Sequence, residues 1–231
     1  MEGTEVRKLA ALEDAHWWYR ERRHLLSRAI QGLRPGTAMD IGAAGGGNTR
    51  VLRDAGWSVV ALEYGVEGAQ VAAERGLPVL RGDATALPVA DGSLDLVVAF
   101  DVLEHILDDD SAVAEVKRAL RPGGTFLIAV PADPRLWSEH DVAVDHVRRY
   151  TRPTLTGVLE RGGFEVDSMD SWNVLLRPVV ALRRRSSSGS DLEELHPVVN
   201  LGLRAIVTAE RYLPVRSLPG VTLLAQARPR G

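Results

Sequence analysis

An α/β fold, a doubly wound and mostly parallel seven-stranded sheet with helices on both faces, is what this 231-residue sequence predicts. Three observations predict it. Short apolar runs alternate with helix-like stretches from Thr37 to Pro131. The runs are near-continuously apolar, as strands buried on both faces must be. The motifs considered below fall at the carboxyl ends of these runs, where such sheets place their ligand crevice.

The elements follow in order. Residues 5–33 read as helical, because Leu9, Leu12, Trp17, Leu25, Leu26 and Ile30 recur at helical spacing between charges. Arg34-Pro35-Gly36 ends that region. The first strand, Ala38–Ile41, meets a glycine cluster, and a helix follows to Ala55. The second strand, Ser58–Leu62, ends at Glu63. A helix then runs to Arg75, before a short strand at Pro78–Leu80. A further helix is expected near Ala84, broken by Pro88. Leu94–Phe100 is a strand bounded by Asp91-Gly92-Ser93. Ser111–Leu120 is an amphipathic helix ended by Arg121-Pro122-Gly123-Gly124, and Thr125–Val130 is the next strand. Beyond a polar loop at 132–150 come a helix at 152–161 and a strand at Phe164–Met169. Residues 171–218 read as an inserted helical pair split by a basic, Ser-rich link at Arg183–Ser190. Val221–Ala227 is the last strand. The expected organisation is an N-terminal helical lid at 1–35, a cofactor-binding core at 36–170, and the insertion with the last strand at 171–231.

Composition narrows the function. The chain has no cysteine, which excludes a disulfide framework, a thiolate nucleophile and Cys-ligated metal. Its formal net charge of −3, with both signs mixed along the chain, does not suit a nucleic-acid binder. The opening Met1-Glu2-Gly3-Thr4-Glu5 carries no secretory signal, and no run approaches the roughly 18 apolar residues of a membrane span. The expected setting is the cytoplasm, without integral membrane association, as a monomer or homodimer.

The stretch Met39-Asp40-Ile41-Gly42-Ala43-Ala44-Gly45-Gly46-Gly47 follows a strand and opens a helix. Glycines there let the backbone turn sharply and let a ligand approach its N–H groups. Glu63 lies about 20 residues further on, where a carboxylate accepts from ribose hydroxyls. A dinucleotide turn would use Gly42, Ala44 and Gly47; the alternative Asp-x-Gly-x-Gly-x-Gly pattern would use Asp40, Gly42, Ala44 and Gly46. Both meet alanine at 44, so the turn does not decide. Asp40 tilts the choice, because an acid there repels a pyrophosphate but suits a ligand carrying an ammonium and a sulfonium.

Four further blocks come in order: Leu80-Arg81-Gly82-Asp83-Ala84, then Leu87-Pro88-Val89-Ala90-Asp91-Gly92-Ser93-Leu94-Asp95-Leu96-Val97, then Asp101-Val102-Leu103-Glu104-His105, then Leu120-Arg121-Pro122-Gly123-Gly124. With the glycine turn they resemble the class I, Rossmann-like S-adenosylmethionine-dependent methyltransferases, of the small-molecule, ubiquinone-biosynthesis-like superfamily. The resemblance covers about residues 36–131, and Ala44 departs from the usual middle glycine. It implies that Gly42, Ala44 and Gly46 line the amino-acid part of the cofactor and that Asp40 lies near its ammonium. Glu63 would hold the ribose diol with Tyr64 beside it, and Asp83 and Ala84 would meet the adenine. Phe100 and Asp101 would sit near the methionine moiety, and Val102–His105 would border the substrate. Read alone, Asp83 is equally a helix N-cap, and Glu104-His105 a solvated helix start.

The acceptor is expected to be a small molecule with an anionic or polar group, methylated on oxygen or else nitrogen, in secondary-metabolite or glycan biosynthesis. Residues 137–150, beside the crevice mouth, read Trp-Ser-Glu-His-Asp-Val-Ala-Val-Asp-His-Val-Arg-Arg-Tyr and admit three readings. His140 or His146 is a general base, with His105 a further candidate, while Trp137, Arg148, Arg149 and Tyr150 bind substrate. Or His140-Asp141 and Asp145-His146 hold a divalent metal, a spacing that matches no strong motif, so no metal is expected. Or Tyr150 packs in the core and the loop simply closes over the cofactor. A second cluster on the N-terminal helix, with Trp18, Tyr19, Arg22 and Arg23, is either a lid reaching a substrate anion or a docking helix whose tryptophans fill a groove. Two other functions fit the fold class, an NAD(P)-dependent oxidoreductase and a non-catalytic cofactor-binding protein. The oxidoreductase would need hydride-site chemistry such as a Tyr-x-x-x-Lys pair, which Tyr150-Thr151-Arg152-Pro153-Thr154 does not supply.

Overall fold

The computed structural model describes residues 3–184 and 195–231. Two helices, α1 (Gly3–Leu12) and α2 (Trp17–Ala29), precede the sheet. Then come β1 (Thr37–Ile41), α3 (Gly47–Asp54), β2 (Ser58–Glu63), α4 (Val66–Glu74), β3 (Val79–Arg81) and β4 (Leu94–Phe100). A single 3-10 turn at Leu103–His105 leads to α5 (Asp109–Ala119) and β5 (Leu120–Pro131). After a 3-10 turn at Pro134–Leu136 come α6 (Glu139–Ala143), α7 (Arg152–Arg161), β6 (Phe164–Trp172), α8 (Arg177–Arg183), α9 (Pro197–Glu210) and β7 (Thr222–Pro229).

Among the described residues one sheet of seven strands runs in the order β3-β2-β1-β4-β5-β7-β6. The β1–β2, β1–β4, β2–β3 and β4–β5 pairs are parallel, and β7 runs antiparallel to both β5 and β6. The unbroken apolar run of β4 has a plain cause. Side chains alternate between faces along a strand, and both faces of β4 are covered. Val97 and Ala99 join Met39, Ile41, Phe126 and Ile128 under α5 and α7. Leu96, Val98 and Phe100 join Ala38, Leu127 and Ala129 under α2 and α3, through Leu26, Ile30 and Leu52.

Two helices behind the sheet, α5 and α7, carry their own side-chain caps. Asp108 accepts from the Ser111 amide at 3.0 Å to start α5. Thr151 and Thr154 cap each other at the start of α7, with Pro153 in the first turn.

The doubly wound sheet and its strands follow the sequence reading closely, and the expected loop at 132–150 also holds a 3-10 turn and α6; other differences have local causes. The expected helix over 5–33 is two helices. His16 breaks it by accepting the Trp18 amide at 3.3 Å, and the buried Glu13 turns in to meet Arg50 at 2.7 Å and Arg75 at 2.5 Å. No helix forms near Ala84, because Asp83 Oδ1 accepts both the amide and the hydroxyl of Thr85, each at 2.8 Å, and closes a turn. β5 begins at Leu120, which pairs with Leu94, and a register shift at Arg121–Gly124 leads to the Leu96–Thr125 pairing. β6 continues to Trp172, which places that ring at the sheet's edge strand rather than in a helix. Most of the expected Arg183–Ser190 link lies outside the described residues.

The N-terminal helices are fastened at several points. α1 lies against α4, where Arg7 and Glu74 form a two-fold ion pair at 2.9 Å. Trp17 and Trp18 of α2 pack on Trp172, Leu176 and Val207, with the Trp18 and Trp172 rings 4.5 Å apart. Glu21 and Arg211 add a bidentate pair at 2.5 and 2.8 Å. Asn200 of α9 accepts from the Trp17 amide at 2.9 Å and donates to the Ala15 carbonyl at 3.0 Å, clamping the α1–α2 turn. No described helix is long and apolar enough to cross a membrane. Asn200→Ala removes both bonds, and at about 1 kcal/mol each it is expected to lower stability by roughly 1–2 kcal/mol, read as a shift of the urea unfolding midpoint.

Candidate functional site

After β1 the chain winds to β2 and β3 on one side, while β5 lies beyond β4 on the other. Between β1 and β4 the order reverses, so their carboxyl ends flank a crevice that no connection covers. Gly42 leaves β1 with φ of +65°, and a Cβ there would lie 2.6 Å from Val102 Cγ2 just past β4. Only glycine fits both demands. Ala44 adopts φ of +47°, so the alanine occupies the conformation that a glycine would take without strain. Gly46, at φ of +79°, opens α3, and a Cβ there would lie 2.1 Å from Leu77 Cδ1.

Asp40 is buried beneath this turn. Thr49 donates to its Oδ2 at 2.6 Å, and its Oδ1 has no hydrogen-bond partner among the described residues. Burial pushes its pKa up to about 7; the Thr49 hydroxyl works against this and the nearby charge of Glu63 adds to it. Glu63, at the end of β2, accepts a short hydrogen bond from the Ala44 amide. Burial raises its pKa too, opposed by the Ala44 and Gly65 amides. Gly68 gives it room, since a Cβ there would meet Glu63 Oε2 at 2.7 Å. Tyr64 is 76% exposed and stands outward. Asp83 is exposed and Ala84 half-buried in the turn beyond β3.

At the end of β4, Phe100 is buried and Asp101 takes φ of +57°. A non-glycine residue held in the left-handed region is a feature that clusters at functional sites. Asp101 accepts from Arg22 of α2, whose guanidinium carbon lies 4.7 Å from the Phe100 ring centroid and 5.7 Å from that of Trp172. Arg22 is thus bound to the protein's own carboxylate. Arg23 is bound as well, donating to the Glu13 carbonyl at 2.7 Å. These bonds tie α2 to the crevice floor, while Arg22 Nη1 has no hydrogen-bond partner among the described residues.

The 3-10 turn after β4 brings in the next group. Glu104 is fully buried, not a solvated helix start. Neither of its carboxylate oxygens has a partner among the described residues. Burial, then the charge of Asp101, raises its pKa far above the usual range, while Arg22 and Arg149 pull it down. His146 places Nε2 3.8 Å from Glu104 Oε1, and its Nδ1 lies 2.9 Å from Asp141 Oδ1. The His105 ring lies 4.8 Å from that of His146, edge to face, and the His140 ring stands 6.4 Å from it.

Asp141 organises the loop after β5. It is buried, and it takes Arg149 at 2.8 Å, Arg184 at 2.9 Å and His146. Burial works to raise its pKa, but the bonds from His146 and Arg149 and the charges of Arg149 and Arg184 outweigh this and hold it below the ordinary carboxylate range. Arg149 also donates to the Ala132 carbonyl at 3.0 Å and is buried. Tyr150 lies in the core, its hydroxyl donating to Asp109 Oδ2 at 2.6 Å. Neither is placed to touch a ligand, because both spend their polar atoms inside the protein. Arg148 pairs with Asp109 and donates to the Leu107 carbonyl at 2.7 Å. Trp137 is 42% exposed and Tyr19 half-buried against His16. Glu104 falls in the stretch expected to border the substrate and Asp141 in the loop weighed as a metal site, whereas Glu13, Trp172, Arg184 and Asn200 were not among the expected site residues, because their partners lie far away in sequence.

Residues 39–128 match the methyltransferase-domain family. The chain is 30% identical over 170 residues to a probable S-adenosylmethionine-dependent methyltransferase of Mycolicibacterium smegmatis, covering 71% of this chain and 65% of the relative. It is 30% identical over 129 residues to a demethylmenaquinone methyltransferase of Renibacterium salmoninarum, covering 55% and 54%. The chain thus spans less than two thirds of the length of these curated relatives. The putative methyltransferase of Haloferax volcanii, solved in complex with the Trm112 activator, shares the fold with a TM-score of 0.67 at 21% identity over 99% of this chain and 96% of that one.

Two outcomes follow from the turn itself. Ala44→Gly is expected to stabilise the chain by roughly 0.5–1 kcal/mol in urea unfolding, because relief of left-handed strain exceeds the added unfolded-state entropy. Folded Asp40 holds its proton more tightly than the unfolded chain does. Its contribution is therefore complete below about pH 4 and lost as pH rises through about 7. Asp40→Asn should remove this fall, on the order of 4 kcal/mol at 1.36 kcal/mol per unit, and the difference between wild-type and variant unfolding free energies across pH 4–7 measures it.

Proposed function

We propose, from the match of residues 39–128 to the methyltransferase-domain family, that the chain binds S-adenosylmethionine in the β1–β4 crevice and transfers its methyl group to an oxygen, or else a nitrogen, of a small molecule. One observation carries the reading. The glycine turn of β1 and the carboxylate of β2 meet in a hydrogen bond, Ala44 amide to Glu63, above an Asp40 oxygen that has no hydrogen-bond partner among the described residues. The residues fit the cofactor: an unpaired buried carboxylate oxygen suits an ammonium, a glycine turn admits close approach, and Glu63 suits a ribose diol.

The roles divide by position. Gly42 and Gly46 leave space at the turn, and Asp40 supplies the negative charge below it. Glu63 exchanges its bond to Ala44 for the ribose hydroxyls. Asp83 and Ala84 stand at the adenine end. When bound, the cofactor supplies a methyl group already activated by its sulfonium, so the protein's task is to orient the acceptor and manage its proton. Phe100 and Asp101, fixed by Arg22, form the floor next to the sulfur. The acceptor enters on the side of Glu104, His105 and His146, with Trp137 at the rim, and that cluster governs the acceptor's proton. A dinucleotide in the same crevice would set its pyrophosphate against Asp40, which disfavours the oxidoreductase reading.

Glu63→Ala is expected to weaken S-adenosylhomocysteine binding by more than tenfold in calorimetric titration, since each charge-assisted bond is worth roughly 1.5–3 kcal/mol. Unchanged affinity in a variant that unfolds at the wild-type midpoint would refute the role of Glu63.

A further inference from the structure

The cluster past β4 has the makings of a metal site. Glu104, His105 and His146 each offer a ligand atom, and these atoms all lie within 4.8 Å of one another. Glu104 is the unusual member, since its carboxylate is fully buried and neither oxygen has a hydrogen-bond partner among the described residues. A buried carboxyl group without hydrogen-bond partners is costly, and proteins keep one where something else completes it. The 3.8 Å between His146 Nε2 and Glu104 Oε1 exceeds a hydrogen bond. A small divalent ion bonded at about 2.0–2.2 Å to each would fill such a gap.

The outer partners of both imidazoles point the same way. His146 Nδ1 lies 2.9 Å from Asp141 Oδ1, and His105 Nδ1 lies 3.2 Å from the Asp145 carbonyl oxygen. An ionised carboxylate and a backbone carbonyl can only accept, so in each ring the proton sits on Nδ1. Nε2 is then the lone-pair nitrogen of both histidines. A carboxylate or carbonyl behind a ligating histidine is the usual way metal sites fix the tautomer and raise the basicity of the ring. Asp141 is itself locked by Arg149 and Arg184, so the His146 ring has a firm backstop.

We infer that Glu104, His105 and His146 form a two-histidine, one-carboxylate site for a first-row transition dication, with open positions for an oxygen of the bound acceptor. Two nitrogens and one carboxylate suit Zn²⁺, Mn²⁺ or Fe²⁺, whereas Mg²⁺ and Ca²⁺ favour sites built from oxygen alone. This departs from the sequence expectation of no metal. The pairs weighed in the loop reading, His140-Asp141 and Asp145-His146, are not this ligand set, because Asp141 is already spent on two arginines and a histidine. The ion's part in methyl transfer would be to hold the acceptor oxygen and lower its affinity for a proton. That part rests on the function proposed above; the binding of the ion does not.

The test is calorimetric titration of the metal-stripped full chain with ZnCl₂, and separately with MnCl₂ and MgCl₂, in the absence of cofactor. The expected result is one equivalent of Zn²⁺ bound at micromolar Kd or tighter, with Mn²⁺ weaker and Mg²⁺ without measurable heat. Glu104→Gln, which keeps the shape of the side chain, and His105→Ala, at an exposed position, should each weaken Zn²⁺ by at least tenfold. His24→Ala, on α2 outside the cluster, should leave it unchanged. No saturable Zn²⁺ binding, or binding equally strong in Glu104→Gln and His105→Ala, overturns the inference. Titration of the same samples with S-adenosylhomocysteine keeps the two proposals apart, because loss of one binding event leaves the other readable.

Discussion

The reversal of strand order between β1 and β4 is the constraint on which the other features rest. Two parallel neighbours send their chains in opposite directions, so the space past their ends has no crossover above it. Everything chemical in this protein is arranged around that space. The glycine turn leaves β1 there, Glu63 arrives from β2, and Asp101 and Glu104 leave β4. The packing of Gly42 against Val102 shows how tight the closure is. A side chain at position 42 would separate the two strand ends and dissolve the crevice.

Around the crevice the protein spends its charges internally. Arg22 is held by Asp101, Arg149 and Arg184 by Asp141, and Arg75 and Arg50 by Glu13. These pairs are partly or wholly buried, and removal of one partner from such a pair is far costlier than loss of a surface pair. They fasten three segments with little regular structure of their own: the α1–α2 turn, the start of the loop after β4, and residues 132–150. Glu104 stands apart from this pattern. It lies close enough to Arg22 and Arg149 to feel both charges, yet its oxygens bond to neither.

The sheet was legible in the sequence because burial on both faces leaves an unmistakable apolar run, and Leu94–Phe100 was read to the residue. The glycine turn and the acids at 40 and 63 were legible because their spacing follows from one β-α-β unit. The rest depended on contacts between distant segments. Nothing near His146 in sequence announces that Glu104, 42 positions earlier, will face it. Arg22 looked free on its helix because its partner, Asp101, lies on a strand 79 residues away. Tyr150 looked available because aromatic residues in polar loops often are, and only the buried Asp109 beneath it shows otherwise. Local rules also misled where a side chain competed with the backbone, as Asp83 did by closing a turn in place of a helix.

Whether the β1–β4 crevice takes a sulfonium ligand or a dinucleotide is the question that reaches furthest into this account. Calorimetric titration of the full chain with S-adenosylmethionine, S-adenosylhomocysteine and NAD⁺ answers it directly. The expected result is saturable binding of both sulfur ligands at one per chain and no heat from NAD⁺. Binding of NAD⁺, with neither sulfur ligand bound, would contradict the account.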